Sequence, residues 1–187
     1  MSDRVRVLFI CLGNICRSPV AEGVLRTRLR AMGLDHLVEV SSAGLGGWHA
    51  GERPDGRSLE VAKRNGVVLD SRARVINPDE FEHTHWIICM DQQNRRGLEK
   101  LGAPSDRVRL LKSFAPRSPG DSEEVDDPYE HGTDAFDRMF TDIATSMEHF
   151  IEHLIVSHTL CRSERGVDLE SKPERARDRR REPDGGT

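Results

Sequence analysis

The most constraining stretch of this 187-residue chain is VRVLFICLGNICRSP, Val5 to Pro19. Val5 to Ile10 is short, apolar and rich in Val, Ile and Phe, the pattern of a buried strand. Ser18 and Pro19 read as the start of a helix, with Ser18 as N-cap, Pro19 at the first helical position and Glu22 in the first turn. A strand that turns through so small a loop into a helix builds an anion site. Successive N–H groups can point inward, and the helix N-terminus adds positive partial charge.

The loop residues suit that purpose. Gly13 and Asn14 accept the left-handed backbone a cradle needs. Arg17 supplies a planar fork matched to two phosphate oxygens. At the base stands Cys11, where the same amides and cation favour the thiolate. A thiolate beneath a bound phosphate is a nucleophile aimed at phosphorus. Spacing alone does not carry this reading, because Cys89 and Arg95 repeat the C-x5-R interval. That second segment has no glycine, and Asp91 would repel both thiolate and phosphate, so Cys89 reads as a buried strand thiol.

Displacing a phenolate, with a pKa near 10, calls for a general acid. The long Pro-, Ser- and acid-rich stretch from Ser113 to Asp127 ends in Val125-Asp126-Asp127-Pro128-Tyr129-Glu130, and loops of that length are commonly functional. Asp127, fixed by the proline after it, is the expected acid, with Asp126 as the nearby alternative. Trp48, on a Gly-rich loop after Ser42, reads either as packing or as a wall for an aromatic substrate.

The segment from Cys11 to Pro19 resembles the signature loop of the low-molecular-weight protein tyrosine phosphatases, and Asp127-Pro128-Tyr129 resembles their acid motif. The resemblance covers roughly residues 4–158. It implies metal-independent, cofactor-free hydrolysis of phosphotyrosine through a phosphocysteine on Cys11, with Arg17 binding phosphate and Asp127 as general acid and base. It further implies a phosphate and substrate pocket formed by Leu12, Gly13, Asn14, Ile15, Cys16 and Ser18, with Trp48 and Tyr129 as aromatic walls. Ser18 is expected to donate to the Cys11 thiolate, Asn14 to hold the loop, and Cys16 to act as a resolving thiol in a reversible Cys11–Cys16 disulfide.

Two departures stand out. A histidine that often supports the loop is replaced by Ser71, leaving Ser71 or Ser42 to do part of that work, and a frequent second aromatic after Tyr129 is Glu130. Glu130 should disfavour acidic residues beside the phosphotyrosine. Three rival readings are weaker. Thioredoxin-coupled arsenate reductases need relay cysteines that this chain lacks. Protein arginine phosphatases carry Thr where Ile15 stands, and a β-branched apolar side chain suits an aromatic ring better than a guanidinium. A phosphotyrosine-binding module without turnover sits poorly with the presence of Cys11, Arg17 and Asp127 together.

Further along, helices are expected over Pro19–Met32, Leu59–Asn65, Asp91–Leu101 and Thr133–His158, with a brief turn opened by Asn77-Pro78. Strands are expected at Leu37–Ser41, His85–Met90 and Arg107–Leu111, with Ser42 to Gly47 as a flexible loop. Alternating strands and helices predict a doubly wound α/β fold with its ligand beyond the carboxyl ends of the strands. The resemblance implies a flavodoxin-like four-stranded parallel sheet of order 2-1-3-4 with helices on both faces. The domain is expected over residues 1–160, followed by a disordered charged tail over 161–187.

A formal charge of −4 argues against a general nucleic-acid partner. No apolar run reaches the roughly 20 residues of a membrane span, and no signal-peptide pattern opens the chain. The four cysteines lack a zinc-type pair and fit a reducing compartment. The expectation is a cytoplasmic monomer or weak dimer, without nucleic-acid or membrane partners, that acts on tyrosine-phosphorylated proteins.

Overall fold

A computed structural model describes residues 4–158, and the expected disordered tail at 161–187 lies outside the described residues. Four strands form one parallel sheet: β1 (Val5–Cys11), β2 (Val38–Gly44), β3 (Trp86–Cys89) and β4 (Val108–Leu110), in the order β2-β1-β3-β4. The helices are α1 (Arg17–Met32), α2 (Gly56–Arg64), α3 (Gln92–Lys100) and α4 (Thr133–His158), with 3-10 turns at Pro78–His83 and Leu111–Phe114.

β1 is central and buried on both faces, so it is apolar almost throughout rather than alternating. Val5, Val7, Phe9 and Cys11 face a core shared with α1, α2 and α4, where Phe9 meets Phe150 edge to face at 6.3 Å. Leu8 and Ile10 face the other layer, against Ile87, Leu98 and Phe81. Helices therefore cover both faces of the sheet, as expected. The apolar stripe of α4, from Phe136 to Leu154, is buried core.

The larger differences from the sequence reading lie at the start of α1, the end of β2 and the start of α2. α1 opens at Arg17, with Cys16 as its N-cap residue and no side chain capping it. Ser18 therefore lies inside the first turn, and its hydroxyl is engaged with Cys11 Sγ at 3.0 Å instead of capping the helix. Nor does Glu22 fall in the first turn: it is buried further along α1, accepting from the Ser42 hydroxyl at 2.6 Å and pairing with Arg26 at 2.8 Å.

β2 runs on to Gly44, through half of the segment expected as flexible loop, and pairs with β1 as far as Cys11. A Cβ on Gly44 would stand 2.9 Å from the Leu12 carbonyl oxygen and 3.1 Å from the Asn14 nitrogen. The glycine is there to let the loop after β1 lie directly against the strand. α2 begins earlier than expected, at Gly56, because Asp55 caps it by accepting the Arg57 N–H at 2.8 Å. The 3-10 turn at Pro78 carries a capping box between Asn77 and Glu80.

Candidate active site

The carboxyl end of β1 meets a cavity of about 130 Å³ beside the first turn of α1. Cys11 lies at its base, buried, and the loop Leu12–Cys16 forms its floor, with Arg17 alongside. Trp48 and Tyr129 stand at its mouth, 71% and 43% exposed, and Asp127 completes the wall. Ile15 supplies an apolar side. Asn14 and Ser18 do not line the cavity; both are buried behind the loop. Asp126, the alternative acid, is exposed and faces a separate cleft outside the cavity.

The loop's carbonyls are tied outward. Leu45 N–H donates to the Cys11 carbonyl at 3.0 Å, Gly46 N–H to that of Leu12 at 2.9 Å, and Asp55 N–H to that of Ile15 at 2.8 Å. Among the described residues, no backbone N–H from Leu12 to Arg17 donates to a protein acceptor. Turned-out carbonyls, free amides and an uncapped helix N-terminus together make a concave set of donors for an anion.

Asn14 fixes the shape of that concavity. Its φ of 56° is the one positive value at a non-glycine among the described residues. Its amide nitrogen donates to the Ser18 and Ser42 hydroxyls, both at 2.8 Å, and its oxygen accepts the Arg74 N–H at 3.0 Å. The Ser42 hydroxyl in turn donates to the Glu22 carboxylate. With a lone pair of Ser18 Oγ already occupied by Asn14, the Ser18 proton is free to point at Cys11 Sγ, 3.0 Å away. Of the two serines considered for loop support, Ser42 makes the contact and Ser71 makes none among the described residues. The Arg74 backbone occupies the remaining side.

Arg17 is buried and held from three directions. Nη1 donates to Asp91 at 2.6 Å and to the Val125 carbonyl at 3.1 Å, and Nη2 donates to Asp127 at 2.6 Å. Burial opposes its charge, but Cys11, Asp127 and Asp91 outweigh that, so its pKa is raised. Two further described thiols, Cys16 and Cys89, are held protonated by their surroundings. Burial, assisted by Asp55, Cys11 and Asp127, pushes Cys16 up to about 12. Burial, with Asp91, does the same to Cys89. All three described cysteines are free thiols.

Asp91 and His49 were not anticipated here. Asp91 does cap α3, accepting the Asn94 N–H at 2.6 Å, yet its second oxygen reaches Arg17. The sequence signal was available: a carboxylate at the end of the strand beside β1 falls at the same edge of the sheet. His49 follows Trp48, lines the cavity, pairs with Glu52 at 2.9 Å and lies 6.2 Å from the Tyr129 ring. Its place depends on the turn after Trp48, which no pattern in the sequence specifies.

A profile of the family described as low molecular weight phosphotyrosine protein phosphatase matches residues 6–159. The chain belongs to that family. A low molecular weight phosphotyrosine protein phosphatase of Schizosaccharomyces pombe is 37% identical over 155 residues, covering 82% of this chain and 99% of that protein. The crystal structure of YfkJ from Bacillus subtilis superposes with a TM-score of 0.78 at 31% identity, covering 83% of this chain and 98% of the other. A Drosophila protein described as an arginine phosphatase superposes with a TM-score of 0.72 at 32% identity, covering 79% and 96% of the two chains. As a member of the low-molecular-weight family, the protein is a cysteine-dependent protein-tyrosine phosphatase. Among the described residues, no helix is long and apolar enough to cross a membrane.

Proposed function

We propose that Cys11, Arg17 and Asp127 carry the reaction, on a catalytic unit of residues 1–160. The observation behind this is the run of free N–H groups from Leu12 to Arg17 wrapped around the Cys11 thiol, with the Arg17 fork and Asp127 in the same cavity. The amides and Arg17 bind the phosphate dianion and stabilise charge on its equatorial oxygens. Cys11 Sγ attacks phosphorus in line; the S–P bond forms as the bond from phosphorus to the tyrosine oxygen breaks, and Asp127 delivers its proton to that oxygen. The Asp127 carboxylate then takes a proton from water, whose oxygen attacks phosphorus. The S–P bond breaks, the thiolate returns and phosphate leaves.

Within this reading Ser18 stabilises the thiolate, and Asn14 keeps the loop in the shape that turns its amides inward. Trp48 and Tyr129 take the two faces of the tyrosine ring, and Ile15 packs its edge. In the unbound protein Asp127 rests on the Arg17 guanidinium. Phosphate must take that fork, which frees Asp127 to move to the leaving oxygen. No metal or cofactor enters the scheme. The substrates are tyrosine-phosphorylated proteins. The enzyme works in the cytoplasm as a monomer or weak dimer, with no nucleic-acid or membrane partner, in keeping with its formal charge of −4.

Phosphate release from a phosphotyrosine peptide and from a phosphoarginine peptide, in reductant and chelator, tests the assignment. Turnover of the phosphotyrosine peptide that vanishes in Cys11→Ser is expected. Preference for phosphoarginine would instead align the enzyme with its Drosophila neighbour and mean that Ile15 does not set the choice. Tight peptide binding without release would make the protein a binding module.

A further inference from the structure

Arg57, the second residue of α2, grips the acid loop from outside the cavity. Its Nε and Nη2 donate to the two oxygens of Asp55 at 3.0 and 2.9 Å. The same guanidinium crosses to the main chain beyond Asp127, with Nη1 donating to the His131 carbonyl at 2.9 Å and Nη2 to the Tyr129 carbonyl at 3.1 Å. Its carbon lies 4.2 Å from the centre of the Phe136 ring on α4. Asp55 is anchored in turn, because its own N–H donates to the Ile15 carbonyl at 2.8 Å. One planar fork thus joins the phosphate loop, the start of α2, the acid loop and α4. A lysine has no such fork, and an alkyl chain has no donors.

This grip matters because of what Asp127 must give up. Its carboxylate is held by Arg17 at 2.6 Å and by the Tyr129 N–H at 3.2 Å, and it is 45% exposed. The first contact is lost when phosphate takes the Arg17 fork. What then keeps the carboxylate in place is the backbone that carries it. Val125 N–H donates to Met90 and His131 N–H to Pro128, at 2.8 and 2.9 Å. Among the described residues, the hydrogen bonds that tie the Tyr129 and His131 carbonyls to another element come from Arg57.

We infer that Arg57 is a positioning residue for the general acid: it holds the main chain at Tyr129 and His131 so that Asp127 faces the leaving oxygen after phosphate has taken Arg17. This rests on the reading of Asp127 as general acid. The consequence is selective. Misplacing an acid slows departure of poor leaving groups and barely affects good ones, whereas loosening the phosphate loop would slow all of them alike.

The experiment compares kcat/KM for phenyl phosphate and for 4-nitrophenyl phosphate, whose phenolate leaves more readily. kcat/KM is chosen because it reports the steps that form the phosphoenzyme, before Asp127 acts again as base. The proteins are the full-length wild type, Arg57→Met, Arg57→Lys, Asp127→Ala and the Arg57→Met/Asp127→Ala double variant. Methionine keeps an apolar stem over Phe136 and removes every donor, while lysine keeps the charge without the fork. Inhibition by inorganic phosphate is measured in each.

Arg57→Met is expected to lose about tenfold to a hundredfold on phenyl phosphate, the scale of a small misplacement of a reacting group, and less than about threefold on 4-nitrophenyl phosphate. Arg57→Lys should show the same selectivity with a smaller loss. In the Asp127→Ala background, Arg57→Met should cost nothing more, and phosphate inhibition of the two Arg57 single variants should stay as in wild type. An equal loss on both substrates with weaker phosphate inhibition would overturn the inference and make Arg57 a support of the phosphate loop. Selectivity in Asp127→Ala but none in either Arg57 variant would also overturn it while leaving the general acid intact. A loss in Asp127→Ala that is equal on both substrates would remove the general-acid reading itself, and this inference with it.

Discussion

Two segments of this protein share the C-x5-R interval, both leave the carboxyl end of a strand in the same sheet, and both lead into a helix. After β1, the helix N-terminus carries no capping side chain, the loop amides are free, and Asn14 turns the chain through a left-handed step. After β3, Asp91 caps the helix with its own carboxylate, the Cys89 thiol is fully buried against the Arg109 carbonyl, and Arg95 lies outside, paired with Glu99 at 3.3 Å. A helix N-terminus attracts an anion in both places. At the second the protein supplies the anion itself; at the first it leaves the donors for a substrate. The difference is made by one aspartate and one left-handed residue, not by the spacing.

The two loops are also partners. Asp91 caps α3 with one oxygen and holds Arg17 with the other. The segment whose helix end is already capped therefore aims the cation of the segment proposed to bind phosphate.

The strongest challenge to the comparison is to exchange the roles of the thiols. Cys11→Ser is expected to lower phosphotyrosine hydrolysis at least about a thousandfold, the scale of removing a nucleophile. Cys89→Ser should leave kcat/KM within about threefold, since that side chain does not line the cavity. Phosphate release from one peptide under identical conditions decides both. A large loss in folded Cys89→Ser would mean that the second segment takes part in the chemistry.

Asp91→Asn separates capping from aiming. Asparagine caps as well as aspartate, so the helix end itself should lose less than about 0.5 kcal/mol, and any larger fall in urea stability reports the weakened bond to buried Arg17. The charge-assisted bond to Arg17 is weakened, and hydrogen bonds to charged groups are worth about 1.5–3 kcal/mol, so kcat/KM should fall about tenfold to a hundredfold. Unchanged activity with unchanged stability would confine Asp91 to α3.

Asn14 tests the left-handed step. Asn14→Gly keeps the backbone preference but removes the three side-chain hydrogen bonds, for an expected loss of about 1–3 kcal/mol of stability. Asn14→Ala removes them too and adds about 1 kcal/mol of left-handed strain. Urea denaturation of the two variants side by side reads the difference. Equal losses would show that the backbone there relaxes out of the left-handed region.

What the sequence made legible follows from how local each feature is. The strand at β1, the glycine and asparagine of its loop, the arginine and the Asp-Pro pair each declare themselves within a few residues, and the alternation of strands and helices declares the sheet. Asp91 was read correctly as repelling a Cys89 thiolate, but its hold on Arg17 was missed because that role is not local. Read against Cys89 it repels; placed by the sheet beside β1, it faces Arg17. Ser18 was taken for a cap because Ser-Pro before an apolar stripe is a capping pattern; the cap falls instead at Cys16, while the expected contact of the Ser18 hydroxyl with the Cys11 sulfur is present. The grip of Arg57 on the acid loop depends on two segments 72 residues apart at Tyr129, which no periodicity brings together.

The smallest expected effect concerns the thiols at high pH. Cys16 and Cys89 are both raised from 9.0 to about 12 by burial. A thiol whose folded pKa lies above its unfolded value contributes stability in full below the unfolded value. That contribution is lost as pH rises from about 9 toward about 12, because the unfolded chain releases the proton first. The urea midpoint of the wild type should therefore fall more steeply between pH 9 and 11 than that of Cys16→Ala/Cys89→Ala, with the two slopes parallel at neutral pH. Parallel slopes throughout would mean that the thiols are not held protonated. The result bears on Cys16 in particular. A sulfenic acid formed on Cys11 condenses with a neighbouring thiol most readily when that thiol ionises. A Cys16 kept protonated by burial and by Asp55 would close such a disulfide slowly, so in this chain the residue best matched to protecting the nucleophile is held in its less reactive form.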